Sequence, residues 1–515
     1  MAKDLKNPPK SSGRSAGLLR LLLVIIAVFA QIILIFYLVN FMQDRAVAVY
    51  FTIQAIAVID IFILVGKRQN TSFTTAWVLL ILLLPVTGHI LYVLWGRRKK
   101  HRRMRRTLLR TESYLEKDPQ DYRALGATHP TRKRLGGYLG RMGFPIYQGT
   151  NCTYYPLADL QFPAIIEDIK QAKRFVFLEF FIISEGRLWQ EVKEVLIEKA
   201  AQGVEVRILY DDMGSLLTVP ENLISEMAKH KISVLRFNPI LYSTSRLYIN
   251  YRNHQKIVVI DGDIAYTGGA NLADEYTNYY EKHGHWKDTA IRLEGKAVWS
   301  LTVFFLQMWE AQTQKEQDFN RYRPQAKITP SAPGFYQPFM DGPHDNPDNP
   351  AEIIYRTMIY NAREYVYIMS PYLVIDKSMI DALCTAALGG TDVRIITPHL
   401  WDKWFVHMAT QSTYTALLRA GVRIYEYTPG YIHAKAILSD DDHCVMGTIN
   451  MDYRSFYLHY ENGVWICGAP VVQTIRDDFL QTIEKCTEFN YHDWKKRPIY
   501  MKIIQGFFRV FAIFF

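Results

Sequence analysis

Hydrophobic positions fall into two regimes along the chain. In the first hundred residues they run on almost unbroken. Leu21 to Phe41 contains no charge, Ala46 to Val65 contains only Asp60, and Trp77 to Trp95 contains none, although that last segment holds Pro85 and Gly88. Each approaches the ~20 residues that carry a helix across a bilayer core. From about Asp159 the pattern becomes periodic. Phe162 to Lys173 has helical spacing, Phe175 to Ile183 reads as a buried strand, Leu188 to Gln202 as a helix ended by Gly203, and Val204 to Tyr210 as the next strand. The order then returns: helix from Ala351 to Ala362, strand from Tyr365 to Met369, helix from Met379 to Leu388 closed by Gly389-Gly390, strand from Asp392 to Ile396. Gly-Val-Glu-Val-Arg-Ile-Leu at 203–209 and Gly-Thr-Asp-Val-Arg-Ile-Ile at 390–396 mark an internal duplication. Ser331 to Pro350, rich in Pro, Gly, Asp and Asn, reads as the linker between the halves. The first half is longer before its motif, and the insertion around Ile240 to Arg252 is a candidate loop over the active site.

The chain therefore divides into a basic tail (1–20), a membrane-anchor region (21–96, with segments at about 21–41, 46–65 and 77–95), a basic juxtamembrane linker (97–150), a first half (151–330), a linker (331–350), a second half (351–496) and an apolar tail (497–515). The first segment is too long for an ordinary signal peptide and lacks its small-residue cleavage site, so it reads as an anchor. Arg97-Arg98-Lys99-Lys100 with Arg102, Arg103, Arg105 and Arg106 places the following globular part in the cytoplasm by the positive-inside rule. Lys3, Lys6, Lys10, Arg14 and Arg20 ask the same of the N-terminus. Three full spans cannot satisfy both, so either the N-terminus lies outside or one segment is re-entrant, and Pro85 to Gly88 makes the third the candidate. Asp60 is either a functional intramembrane carboxylate or a group that snorkels toward, or pairs with, the nearby Lys67-Arg68 end. The C-terminal run from Gly506 to Phe515 is apolar and aromatic; it packs on the core or enters the membrane interface beside the substrate.

The net charge of +10 suits an anionic partner. The basic block also attracts anionic headgroups, worth about 1 kcal/mol per basic residue near the surface. Five cysteines, an odd number without CxxC or Cys/His spacing, argue against a disulfide framework.

The candidate chemistry is carried by a pattern that occurs twice. His254-Gln-Lys256 with Asp261 is followed by Gly268-Gly269-Ala270-Asn271, and His433-Ala-Lys435 with Asp440 by Gly447-Thr448-Ile449-Asn450. Each copy reads as a β-hairpin with the histidine and lysine on one face at the start of the first strand. The glycine-asparagine stretch lies beside them, where backbone N–H groups could face an anion. Singly, each element has an ordinary explanation: a solvated His-x-Lys, an aspartate in a turn, an asparagine cap. The repeated order and spacing does not. Because each half holds one histidine, a single site forms where the halves meet.

The doubled pattern resembles the phospholipase D superfamily. Within it the chain is most similar to the bacterial cardiolipin synthases, in Leu82 to Tyr92 with Gly96-Arg97, in Phe162-Pro-Ala, in Phe177-Leu-Glu-Phe-Phe181 and in Arg252-Asn-His-Gln-Lys256. The resemblance implies an α/β fold of two duplicated phospholipase D-like βα sandwich halves sharing one active site, preceded by N-terminal membrane helices. It implies transfer of a phosphatidyl group between two phosphatidylglycerols through a phosphohistidine, giving cardiolipin and glycerol. His254 would be the nucleophile and His433 the acid/base by family analogy alone. Lys256 and Lys435 would hold phosphoryl oxygens. Asp261 and Asp440 complete the catalytic motifs and read as structural supports rather than proton carriers. Asn271, Asn450 and Thr448 are supporting residues. Asp288 and Glu461 fall where the family places an acid behind each histidine, the alternative being a surface carboxylate. The first copy has Gly269 where the family often has Ser or Thr, which puts a hydroxyl contact to phosphate in doubt there, with backbone N–H as the substitute.

No cofactor and no metal is implied, since a lysine beside each histidine would repel a cation. The expected partners are phosphatidylglycerol, other anionic phospholipids and the cell membrane, as a multi-pass protein, with no nucleic acid. Competing functions are a membrane phospholipase D or another phosphatidyltransferase, a membrane-anchored nuclease, and a non-catalytic scaffold. Two complete motifs argue against the last.

Overall fold

The computed structural model describes residues 43–67, 70–96, 102–239, 250–326, 333–344 and 348–514, with a few helical positions between 26 and 40. Most of the first apolar segment, the N-terminal tail, the Arg97–Lys100 run, the heart of the insertion (240–249) and parts of the 331–350 stretch lie outside the described residues.

Each half builds the same sheet. In the first, the strand order is Thr150–Tyr155, Ala290–Gly295, Ile264–Gly268, Ile257–Ile260, Phe175–Phe180, Glu205–Asp211 and Ser233–Phe237. In the second it is Phe335–Asp341, His459–Cys467, His443–Gly447, Ala436–Ser439, Tyr365–Met369, Asp392–Pro398 and Arg423–Tyr427, extended by Cys486–Phe489. Strand directions repeat as well: Phe175–Phe180 is parallel to Glu205–Asp211 and antiparallel to Ile257–Ile260, as Tyr365–Met369 is to its own two neighbours. Residues i and i+2 of a strand share a face, and each half uses this for the same ion pair, Arg207 with Glu205 (2.6 Å) and Arg394 with Asp392 (2.7 Å).

One sequence reading changes here. The stretch 331–350, read as a linker, carries the strand Phe335–Asp341, buried along its length and paired with His459–Cys467. Its seven residues include Pro338 and lie among Pro, Gly and Asp, which masks the alternation that marks a strand. It is the counterpart of Thr150–Tyr155, which pairs with Ala290–Gly295 in the first half.

The helix Val298–Thr313 is buried from Val298 through Ala311, as expected of a helix that is hydrophobic on every side. It contacts strands of the first sheet and also Phe335–Asp341 of the second, so one helix cements both halves. Phe305 stacks on Phe177 at 4.5 Å.

In the anchor region, Gln43–Val65 is one helix, and its Val47–Val65 part is long and apolar enough to cross a membrane. The third apolar segment is not such a helix. Thr71–Leu83 ends at Leu84, and Pro85–Leu91 folds back against it. Thirteen residues at 1.5 Å each reach about 20 Å, short of the ~30 Å hydrocarbon core. The return is tight: a Cβ on Gly88 would lie 2.5 Å from the Leu80 carbonyl oxygen. Asp60 bonds to His89 of this hairpin, and Lys67 donates to the Tyr92 hydroxyl at 3.1 Å. The hairpin is fastened to the second half through Asn70. Its carbonyl caps Ser72 N–H at 2.9 Å, and its amide donates to Asp376 and to the Tyr457 hydroxyl, both at 2.8 Å.

Candidate active site

The two histidines do not sit inside their hairpin strands but one step before them. Each follows a short strand that crosses to the other half. Arg252–Asn253 runs parallel to His459–Tyr460, and His254 N–H donates to the Tyr460 carbonyl at 2.9 Å. Gly430–Ile432 runs parallel to His285–Lys287, and His433 N–H donates to the Lys287 carbonyl at 2.7 Å. The crossing sets the acids. His433 Nδ1 lies 2.6 Å from Asp288 Oδ2 of the first half and 2.6 Å from Lys435 Nζ, and His254 Nδ1 lies 2.9 Å from Glu461 Oε1 and 3.0 Å from Oε2 of the second. A carboxylate on Nδ1 selects the tautomer that leaves the Nε2 lone pair for chemistry. Both histidines, both lysines and both acids are buried. Neither acid is the surface carboxylate of the alternative reading.

Arg252 is held by Asp211 (Nε–Oδ2, 3.0 Å), and the same oxygen accepts Asn253 N–H at 2.9 Å, which fixes the approach to His254. Asn253 also donates to the buried Glu179 at 2.5 Å. Lys256 Nζ donates to the His254 carbonyl at 2.7 Å, and Lys435 donates to the His433 carbonyl. Each ammonium is thus folded back over its own histidine. Burial, then Lys256 and His459, hold His254 well below its ordinary value. Burial and Lys435 push His433 down to about 4, against the upward pull of Asp288. Burial lowers Lys256 to about 7 and Lys435 to about 8, and raises Glu461 to about 8 against Lys256.

The motif aspartates stand apart from this chemistry. Asp261, at φ +56°, accepts the backbone N–H groups of Lys173, Arg174 and Phe175 at 2.7–2.9 Å. Asp440, also at φ +56°, accepts those of Arg363, Glu364 and Tyr365 and pairs with Arg132 at 3.1 Å. Each fastens its hairpin turn to the start of the neighbouring strand. Asp261→Ala removes the acceptor of three amides and leaves alanine at positive φ, so a loss of about 2–4 kcal/mol of stability is expected in thermal unfolding.

Of the residues after the hairpins, Gly269 and Thr448 meet the acids. Gly269 N–H donates to the Thr289 carbonyl at 3.0 Å, and Thr448 N–H to the Asn462 carbonyl at 2.9 Å, so neither amide is the anion donor foreseen from the sequence. The Thr448 hydroxyl donates to Glu461 at 2.5 Å. A Cβ on Gly269 would fall 2.0 Å from Asp288 Oδ1; glycine stands there because the acid fills that space. Asn271 accepts Ile182 N–H at 3.1 Å and donates to the Tyr276 hydroxyl at 2.6 Å, and the Tyr276 ring lies 5.3 Å from that of His433. Asn450 is buried and takes its backbone N–H to the Ser455 hydroxyl at 3.3 Å.

A family model described as "Cardiolipin synthase, PLD-like domain" matches residues 165–309 and 355–483, and one described as "Phospholipase_D-nuclease N-terminal" matches 52–97. "Cardiolipin synthase 2" of Bacillus anthracis is 33% identical across 87% of each chain. The chain belongs to the cardiolipin synthase family. Another member, "Cardiolipin synthase" of Halalkalibacterium halodurans, is 30% identical over 92% of this chain and 95% of its own. An uncharacterised protein of Streptococcus mutans is 38% identical over 86% and 97%. Among solved structures, phosphatidylserine synthase of Haemophilus influenzae shares the fold with a TM-score of 0.57 at 14% identity, over 74% of this chain and 98% of that one.

For this member of the cardiolipin synthase family, sequence reasoning missed the neighbour two residues before each acid. His459 precedes Glu461 and Trp286 precedes Asp288, and each ring packs on the catalytic-type imidazole, at 5.5 Å and 5.7 Å. The repeated aromatic-x-acid spacing was the available signal. His254, His459 and Glu461 bring ligand-type atoms within 4.8 Å of one another, but the charge of Lys256 and Lys435 beside them opposes a cation.

Proposed function

We propose that the chain transfers a phosphatidyl group from one phosphatidylglycerol to another, releasing glycerol and forming cardiolipin. The observation that carries this reading is the crossed pair of acids: each half orients the histidine of the other, so two imidazoles serve one phosphorus. His254 Nε2 attacks phosphorus and the bond to the glycerol oxygen breaks, that oxygen taking a proton from His433. A hydroxyl of the second phosphatidylglycerol then gives its proton to His433 and attacks phosphorus, and the bond to His254 breaks. Each histidine has an acid behind it, Asp288 at His433 and Glu461 at His254, and family analogy assigns His433 as the acid and His254 as the nucleophile. The phosphodiester brings the negative charge that raises His433 into its acidic role. Lys256 and Lys435 neutralise the charge that develops on the phosphoryl oxygens. Anchorage through residues 43–96, with the two halves on the cytoplasmic side, brings this chemistry to the lipid.

Purified enzyme with phosphatidylglycerol should yield cardiolipin and free glycerol, unchanged by EDTA; phosphatidic acid as the main product would make the chain a hydrolase. The pH dependence has a definite sign. His254 and Glu461 share a proton that must be lost before attack, and this favours higher pH. The lysines lose charge as pH rises through about 7 and about 8. A plot of kcat/KM, which reports the free enzyme, should be a bell whose alkaline side lies in that interval rather than near the ordinary lysine range.

A further inference from the structure

The C-terminal helix Ile499–Phe511 is amphipathic, but it is turned inside out. Gln505 is 2% exposed, whereas Ile499, Ile503 and Phe507 are 75%, 67% and 57% exposed. These positions recur every four residues and form one stripe. The helix packs on Trp404–Arg419 and on Thr71–Leu83 of the membrane hairpin. Trp404 meets Phe508 edge-on at 5.0 Å, and Trp401 and Trp404 are themselves each 49% exposed. Lys502 and Arg509 on the same helix, and Lys495 and Lys496 just before it, are exposed cations.

We propose that this face is an interfacial docking surface for an anionic bilayer, continuous with the hairpin, and that it sets the mouth of the active site against the lipid. This rests on the reading of the substrate as a phospholipid. Water would leave an apolar stripe of this kind unfavourably solvated, whereas the headgroup boundary accepts its apolar side chains and attracts its cations. The tie to the site is the loop that bears the two tryptophans. Between them Asp402 turns inward, accepting the Tyr372 hydroxyl at 2.7 Å and lying within electrostatic reach of His433. The segment that meets the bilayer on its outer side is therefore the rim of the reaction centre on its inner side. The occupant is a bilayer rather than a second copy because the stripe adjoins the hairpin, which follows the membrane-length helix within a few residues.

The test uses the full-length enzyme and the double variant Ile503→Asp, Phe507→Asp, with two forms of phosphatidylglycerol: mixed vesicles with phosphatidylcholine, and a short-chain form kept monomeric. The variant should lose about tenfold in rate on vesicles, as expected for removing apolar side chains from an interface, and keep its rate on the monomer. Equal loss on both, or loss on neither, would overturn the proposal. A second readout does not depend on catalysis. Brominated phosphatidylglycerol should quench part of the fluorescence, and the share that exceeds the quenching of Trp77 and Trp95 in the anchor region should be lost in Trp401→Phe, Trp404→Phe. If no cardiolipin forms but quenching persists, the functional reading fails and the docking surface stands. A detergent-stable dimer that dissociates in the Asp variant would assign the face to a second copy instead.

Discussion

His254→Ala and His433→Ala should each lower cardiolipin formation by at least about 10⁴-fold, because the proposed mechanism uses one as nucleophile and the other as proton carrier. The two variants part company with a donor that needs no acid. A phosphatidyl ester of nitrophenol releases its leaving group unaided, so His433→Ala should still show a burst of nitrophenol and a labelled protein, then stall. His254→Ala should show neither. Label on the His254→Ala protein would exchange the two roles, and turnover of phosphatidylglycerol by either variant would remove the two-histidine mechanism altogether. The asymmetry expected here follows from the proposed roles, and the acids differ as well. Asp288 reaches His433 with one oxygen at 2.6 Å, whereas Glu461 offers both oxygens to His254 at 2.9 and 3.0 Å.

The second large effect is expected at a residue that never meets substrate. Gly269→Ala places a methyl group where Asp288 Oδ1 now lies, at 2.0 Å. Backbone cannot yield, because Gly269 N–H is committed to the Thr289 carbonyl and Gly268 is packed on Ala290. The carboxylate must therefore swing away from His433. Loss of such a supporting partner costs about 10–100-fold in activity, and overpacking adds about 1–3 kcal/mol of destabilisation. Rates on phosphatidylglycerol and on the nitrophenyl donor separate these effects. The first should fall and the burst on the second should remain, since the His254 side is untouched. A Gly269→Ala enzyme that turns over phosphatidylglycerol like the parent would show that Asp288 does not orient His433. Thr448→Ala is the milder counterpart, since it removes one hydroxyl from Glu461 and introduces no collision.

How far the sequence carries can be seen at these residues. The halves were legible because each element is local and repeats: the strand Tyr365–Met369 falls where the repeated order places it, and the helices at 187–201 and 377–388 begin within two residues of their predicted starts. The histidines, lysines and motif aspartates were legible because their spacing is copied. The exchange of acids was not, because it depends on the two- and three-residue strands Arg252–Asn253, Gly430–Ile432 and His285–Lys287, which are too short to show any period. Gly269 was read as a missing hydroxyl. Its meaning is a volume, and a volume appears only once Asp288, nineteen residues later, is folded against it. Phe335–Asp341 was lost in a composition typical of loops, although its burial is complete. For Asp60 the sequence offers only the cations nearest along the chain as partners, whereas His89 comes close only when the hairpin turns at Pro85.

The reciprocal hold of the two acids also bears on when the chain becomes active. A ribosome delivers the first half, with His254 and Asp288, well before Glu461 and His433 exist. Until then His254 has no carboxylate behind it, and Asp288 has no imidazole to receive. Competence therefore arrives late and all at once, after the second sheet closes on the first. A truncated or half-folded copy already seated in the bilayer would carry a histidine but no oriented pair, and the surrounding lipids would be safe from it.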